Sequence, residues 1–216
     1  MITKRSALII QSLILLTICT IAAHATSAFE GVIEASTSSD EQNATMVFTV
    51  KGSMTRVDVN GQGGGSVILL DREKKLMNIL MPSMKMYMQH EMNAPTTATE
   101  KPTAKIENSG ETETLLDHPC QVWTATYADG TVEKLWLATD VNAYFAFGGT
   151  ASMKRQDSEL EKLAKDKGYF PLKNVKTKDG KTTTFLVTKI EAKTIDASVF
   201  VIPEDFKLMS IPSHGH

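Results

Sequence analysis

The chain has 216 residues and a mass of 23.7 kDa, room for one domain of ordinary size or two small ones. Its 23 basic and 25 acidic residues nearly cancel, which excludes bulk electrostatic binding to nucleic acid or to an anionic membrane. An apolar fraction of 42% is too high for a disordered chain, and two cysteines are too few for a disulfide-stapled scaffold. Methionine is the compositional oddity: of 11 in the chain, six (Met77, Met81, Met84, Met86, Met88 and Met92) fall within sixteen consecutive residues.

The N-terminus reads as an address. Lys4 and Arg5 form a positive head, Ala7 to Ala23 is almost wholly apolar, and Ala23-His24-Ala25 supplies the small residues of a cleavage site. Residues 1–25 are therefore expected to be a secretory signal peptide, with a second possible cut after Ala28. An uncleaved anchor is the alternative, but the apolar run is at the short limit for crossing a bilayer. Ile18 before Cys19 is too large for a lipidation signal. Cleavage removes two of the 23 basic residues and leaves 21 against 25, a net charge of −4. It also leaves Cys120 as a lone thiol, for which burial is the default. The expected location is periplasmic or secreted, with no stable membrane span after cleavage.

The rest, 26–216, reads as a single β-rich domain. Thr45–Val50 alternates with Met46, Phe48 and Val50 on one face, and Met54–Asn60 turns Val57 and Val59 inward with Arg56 and Asp58 outward. Gln121–Tyr127 is rich in β-branched and aromatic residues, and Thr182–Glu191 sets Phe185 and Val187 against Leu186 and Ile190. Asn60-Gly61, Asp129-Gly130 and Asp179-Gly180 are tight-turn signals. They predict hairpins of 121–127 with 132–138 and of 172–178 with 182–190. Short strands joined by tight turns imply an antiparallel sheet. One helix is predicted over Asp157–Lys167, where Leu160, Leu163 and Ala164 form a narrow stripe that should lie on the sheet. Gln62–Ser66 and Asn93–Ala104 read as loops and 213–216 as a flexible tail.

The methionine window is broken at Pro82-Ser83 into expected strands 76–81 and 84–90. In the second, Met84, Met86, Met88 and His90 share a face, and Lys85, Tyr87 and Gln89 share the other. Thioethers can line an adaptable apolar surface. They are also soft ligands for Cu(I), with His90 as a compatible imidazole. Strand neighbours two apart are wide for one copper, so Met77 or Met81 on a second strand would have to help. His118 and Cys120 share a face if extended, the minimum of a Cys–His nucleophile, but no orienting group or oxyanion site accompanies them. Adding His90 gives three scattered zinc-type ligands. His214 and His216 lie on the tail. No paired-carboxylate, Ser-His-Asp, Walker or dinucleotide pattern stands out. Trp123 and Trp136 read as core or lining, since no basic patch marks a nucleic-acid platform.

Several segments resemble a known family: Lys85-Met86-Tyr87-Met88, the run from Gly110 to Cys120 into Val122-Trp123, Val132-Glu133-Lys134-Leu135-Trp136, Phe170-Pro171-Leu172-Lys173, and the closing Ile195-Asp196-Ala197-Ser198-Val199-Phe200-Val201-Ile202-Pro203. The mature chain is similar to the bacterial exported domain of unknown function 4412. The resemblance implies a fold like the periplasmic lipoprotein carriers and no established activity. Glu204-Asp205-Phe206 departs from the Gly-Tyr that often follows the closing proline in that family. The expectation is an α+β, mostly antiparallel fold: a curved sheet or half-barrel with one or two helices packed on it. The leading functional expectation is a non-enzymatic protein that binds a hydrophobic small molecule or lipid, with Met84, Met86, Met88, Trp123 and Trp136 lining the groove and no cofactor. The alternatives are a Cu(I)-binding protein using Met84, Met86, Met88 and His90, and an envelope interaction module without a small ligand.

Overall fold

The described residues are 29–40, 42–61, 64–92, 104–141, 163 and 166–209 of a computed structural model. They build one large sheet from two antiparallel meanders. The first passes through β1 (Gly31–Ser39), β2 (Asn43–Lys51), β3 (Met54–Gly61), β4 (Gly64–Asp71), β5 (Leu76–Met81) and β6 (Met86–Glu91). The second passes through β7 (Ala104–Leu115), β8 (His118–Tyr127), β9 (Val132–Ala138), β10 (Phe170–Lys178) and β11 (Lys181–Ala192). β11 pairs antiparallel with β1, and the short β12 (Lys207–Leu208) pairs parallel with β6. The order is therefore β12-β6-β5-β4-β3-β2-β1-β11-β10-β9-β8-β7. The sheet is curved and unclosed, the mostly antiparallel half-barrel that the sequence predicts.

Turn chemistry explains the hairpins. Asp179 (φ 50°) and Gly180 (φ 76°) both take the positive φ of a two-residue hairpin turn between paired Lys178 and Lys181. Asn60-Gly61 does not turn. Both residues remain in β3, Gly61 pairs with Gly64, and Gly64–Ser66, expected as loop, opens β4. Of the predicted helix, Leu163, Asp166 and Lys167 are described and helical. The remainder lies outside the described residues, as do the signal segment, residues 93–103 of the expected loop, and the tail.

The core follows from register. One row of directly opposed residues crosses six strands: Ile33, Phe48, Val57, Ile68, Ile79 and Met88. The first five are buried, and Ile33, Phe48 and Val57 are wholly so. Their cluster continues through Val187, Leu172 and Phe170 to Cys120 and Val122 on β8. A bulge in the β1–β11 ladder opposes Glu34 to Lys189 and Ala35 to Val187. It lets Ile190 join Phe185 and Val187 on the core side although strict alternation sets it against them. Gly31 sits where the ladder is tightest; a Cβ there would run into the Glu191 carbonyl.

Two stretches of sheet are covered on their other face. Leu163 and Tyr169 pack over Ala125, Leu135 and Leu137. At the far end the C-terminal segment crosses the strands as a strap. Ile195 N–H donates to the Glu30 carboxylate (2.7 Å), and Lys51 pairs with the same carboxylate (3.1 Å). Arg56, forked onto Asp58, donates to the Val199 carbonyl (3.1 Å). Ile202 and Phe206 cover Val67, Leu69 and Leu80, and Lys85 pairs with Asp205 (2.9 Å). The strap ends in β12, where Lys207 and Met209 N–H groups bond the Lys85 and Tyr87 carbonyls.

Carboxylates at three points tie the strap down. The Ile195 N–H, then Lys51, lowers the Glu30 pKa; the Ser198 N–H lowers that of Asp196; Lys85 lowers that of Asp205. Depressed carboxylate pKa values stabilise the fold above the unfolded-state values of about 4, and that stabilisation is lost as pH falls through the folded values. Hydrogen exchange should therefore show protection of the Ile195, Ser198 and Met209 amides dropping between pH 6 and pH 3, ahead of the amides of β2 and β3. Phe48→Ala, by emptying a wholly buried site, should cost about 3–5 kcal/mol in urea unfolding.

Candidate functional site

The methionine ribbon lies at one end of the core face. β5 and β6 are antiparallel, so Met81 opposes Met86, Ile79 opposes Met88, and Met77 opposes His90. Met77 and Ile79 belong to the core cluster, and Met88 and Met92 pack against it, so Met86, Met88 and His90 lie on the core side. Tyr87 opposes Leu80 and packs on the strap side, and Gln89 bonds Asn78 (3.1 Å). The alternation read from the sequence is therefore the one the fold uses.

Met84 is the exception. Pro82–Met84 forms a single 3-10 turn, and Lys85 closes it with left-handed backbone (φ 50°). Proline favours such a helical start, which carries Met84 out of the strand. Its side chain is 55% exposed and shares no face with Met86 and Met88. The two tryptophans are also separated from the ribbon and from each other. Trp136 lies beside Val122, Cys120 and Ala138, and Trp123 lies on the opposite face of β8 and β9 with Ala125 and Leu135. Trp136 is enclosed: Lys173 stands 4.2 Å and Lys134 5.2 Å from its ring centroid, and its indole N–H donates to Glu113. Lys167 stands 5.9 Å from the Trp123 ring. Met84, Trp123 and Trp136 thus drop out of a common lining with Met86 and Met88.

What the sequence reading missed is the rim. Beside the buried part of that row and at its ends lies a border of half-buried apolar side chains: Met46, Val59, Met88, Met92, Phe185 and Ile190. Met46 and Val59 oppose each other one row from the centre, and Phe185 opposes Thr37 beside them. Period-two parity would have extended the methionine face two residues past His90 to Met92. The rest depends on which strands become neighbours.

The Cys–His pair does not assemble. The His118 ring is held by Asp140 (3.0 Å), and the Cys120 thiol donates weakly to the backbone carbonyl of His118 (3.5 Å). Burial pushes the Cys120 thiol up to about 11. His90 on β6 and the His118–Cys120 pair on β8 belong to different meanders, and among the described residues no three His, Cys, Asp or Glu side chains are placed to hold a metal. The buried carboxylate of Glu133 is occupied by Tyr127 Oη (2.9 Å) and the Asn174 amide (2.8 Å), a bracing network between β8, β9 and β10. Native Cys120 should stay unreactive towards a disulfide reagent at pH 8 and react only on unfolding. Because its folded pKa lies above the unfolded one, its stabilisation is complete below about pH 9 and lost towards about pH 11. The urea midpoint should fall over that interval less steeply for Cys120→Ala than for the parent.

Similarity to known proteins is strong in family and weak in sequence. No curated protein matches the chain. An uncharacterized conserved protein from Thermus thermophilus is similar in structure, with a TM-score of 0.52 and 11% identity over 83% of this chain and 90% of that one. MucB, solved in complex with MucA(peri), gives a TM-score of 0.45 and 10% identity over 85% and 57% of the two chains. A DUF1329 family protein from Desulfovibrio piger gives 0.34 and 8% over 81% and 90%. The first of these shares the fold. Residues 29–206, from the start of the sheet through the strap, match the Domain of unknown function (DUF4412), and the chain belongs to that family.

Proposed function

We propose that the protein is exported and is a non-enzymatic binding protein, which holds a hydrophobic ligand such as a lipid or acyl chain against the core face of its unclosed sheet. The observation that supports this is the half-buried rim of Met46, Val59, Met88, Met92, Phe185 and Ile190 around a wholly buried floor. An apolar face that is neither fully closed nor polar at its border is the surface an acyl chain can share. Thioethers suit that task, since unbranched flexible side chains repack around occupants of different shape. The positive head, apolar run and small-residue exit of residues 1–25 support export. Among the described residues no helix is long and apolar enough to cross a membrane.

Protein purified after expression of the full chain should bind an environment-sensitive fluorescent fatty acid and release it to unlabelled acyl chains. Met46→Asp and Phe185→Ser alter two rim positions on different strands. Each should weaken that binding about ten-fold while leaving the melting temperature within a few degrees, since one polar group on a half-buried border costs roughly 1–2 kcal/mol. Absence of binding, or unchanged affinity in both variants, overturns the assignment and leaves an envelope interaction module.

A further inference from the structure

The row below the central one contains an anomaly. Across β2, β3, β4, β5 and β6 it runs Val50, Thr55, Leu70, Met77 and His90. The first four are buried, and Thr55 is bonded by Arg72 (3.3 Å). The row ends in an imidazole on the apolar side, where an aliphatic residue would complete the pattern. His90 is half-buried, and among the described residues its ring has no hydrogen bond or ion pair. Among the described residues, the ring has gained no protein bond in exchange for the hydration that half-burial removes.

Its surroundings are thioethers. Met77 lies directly across the ladder. Directly opposed residues place their Cβ atoms about 4.5–5.5 Å apart. Met88 precedes His90 by two residues on the same face and packs against the cluster that contains Met77, whereas Met92, four residues beyond Met88, stands about 13 Å from it, too far for both sulfurs to meet one ion. Neighbours two apart on a strand are about 6.5–7 Å from each other. Three rotatable bonds per methionine are enough to close that gap. Two neutral sulfurs, of Met77 and Met88, and one imidazole form a soft set without carboxylate or thiolate, which suits Cu(I) over zinc or a hard cation. Arg72, in the turn after β4, directs its guanidinium to the Gly52 carbonyl (2.7 Å) and Thr55, towards the β2–β3 turn.

We propose that Met77, Met88 and His90 form a three-coordinate Cu(I) site at the β5–β6 end of the sheet. The set keeps Met88, His90 and the second-strand Met77 of the sequence expectation and drops Met84 and Met86, because register and not strand parity alone decides which sulfurs meet. It does not depend on lipid carriage, whose test varies Met46 and Phe185.

The test is anaerobic Cu(I) titration of protein from the full chain against bicinchoninate. One equivalent should be withdrawn from the competitor, and X-ray absorption should report sulfur ligands with one nitrogen. Met77→Leu and Met88→Leu keep volume and apolarity. Each should lower affinity at least ten-fold, and His90→Gln should do the same. Met84→Leu and the His214→Ala/His216→Ala double variant should change nothing. Ag(I) added to the parent protein with labelled methionine methyl groups should shift Met77 and Met88 and leave Met84 unmoved, a readout that needs no variant to fold. No competition for Cu(I), unchanged affinity in the Met77→Leu/Met88→Leu double variant, or loss of binding in the tail variant overturns the site.

Discussion

The architecture depends on one non-local pairing, that of β1 with β11. Each meander alone is built from contacts between sequence neighbours, and each has an unpaired strand where it begins or ends. The seam joins residues 31–39 to residues 183–192 through nine opposed pairs, with one bulge absorbed on the way. Closing a loop of that length is expensive in chain entropy, although the expense grows only logarithmically. What offsets it is the core, since the apolar cluster passes without interruption from β5 to β8 only when β1 and β11 are adjacent. Seam and core therefore form together. A core that waits on so distant a pairing forms more slowly than the hairpins on either side of it.

How far the sequence reveals the fold depends on whether one face of a strand is wet. Strands that bury one face, such as β2 with Met46, Phe48 and Val50, announce themselves by alternation. β4 does not. Its Val67–Leu70 run is buried on both faces because the strap covers the second, so the period vanishes. β9 has the same condition at Leu135–Ala138, and there the neighbouring Asp129-Gly130 turn gives it away. β7 fails for the opposite reason. It is polar along nearly its whole length and offers no apolar alternation to mark a strand. For the candidate site, parity identified Met86, Met88 and His90. The placement of Met84 failed because Pro82 starts a turn of helix. The pairing of Trp123 with Trp136 failed because an odd spacing of 13 puts the two on opposite faces once β8 and β9 are in register.

The family-like closing segment takes on a definite role. Asp196 caps a short 3-10 turn by accepting from the Ser198 N–H (2.8 Å), and Phe200 and Ile195 are buried beneath it. These residues fasten the C-terminus across the first meander and keep β4 and β5 dry on both sides. Sequence likeness in this segment therefore carries information about closure of the fold rather than about chemistry. The departure at Glu204-Asp205-Phe206 fits the same role, since Asp205 reaches Lys85 and Phe206 joins the strap's apolar contact.

An unclosed sheet has two ends, and unsatisfied strand edges recruit other chains. The molecule treats its ends differently. At β6 the strap supplies β12 and occupies the ladder at Met86 and Tyr87. At β7, among the described residues, nothing covers the twelve-residue strand. There, Lys105, Glu107, Glu111 and Glu113 line the edge, and residues 109–111 bulge out of register around a left-handed Gly110 (φ 73°). A second copy approaching that edge meets like charge and a broken hydrogen-bond pattern. The polar composition that hides β7 from a sequence reading is thus what lets a half-barrel remain open without stacking into fibres.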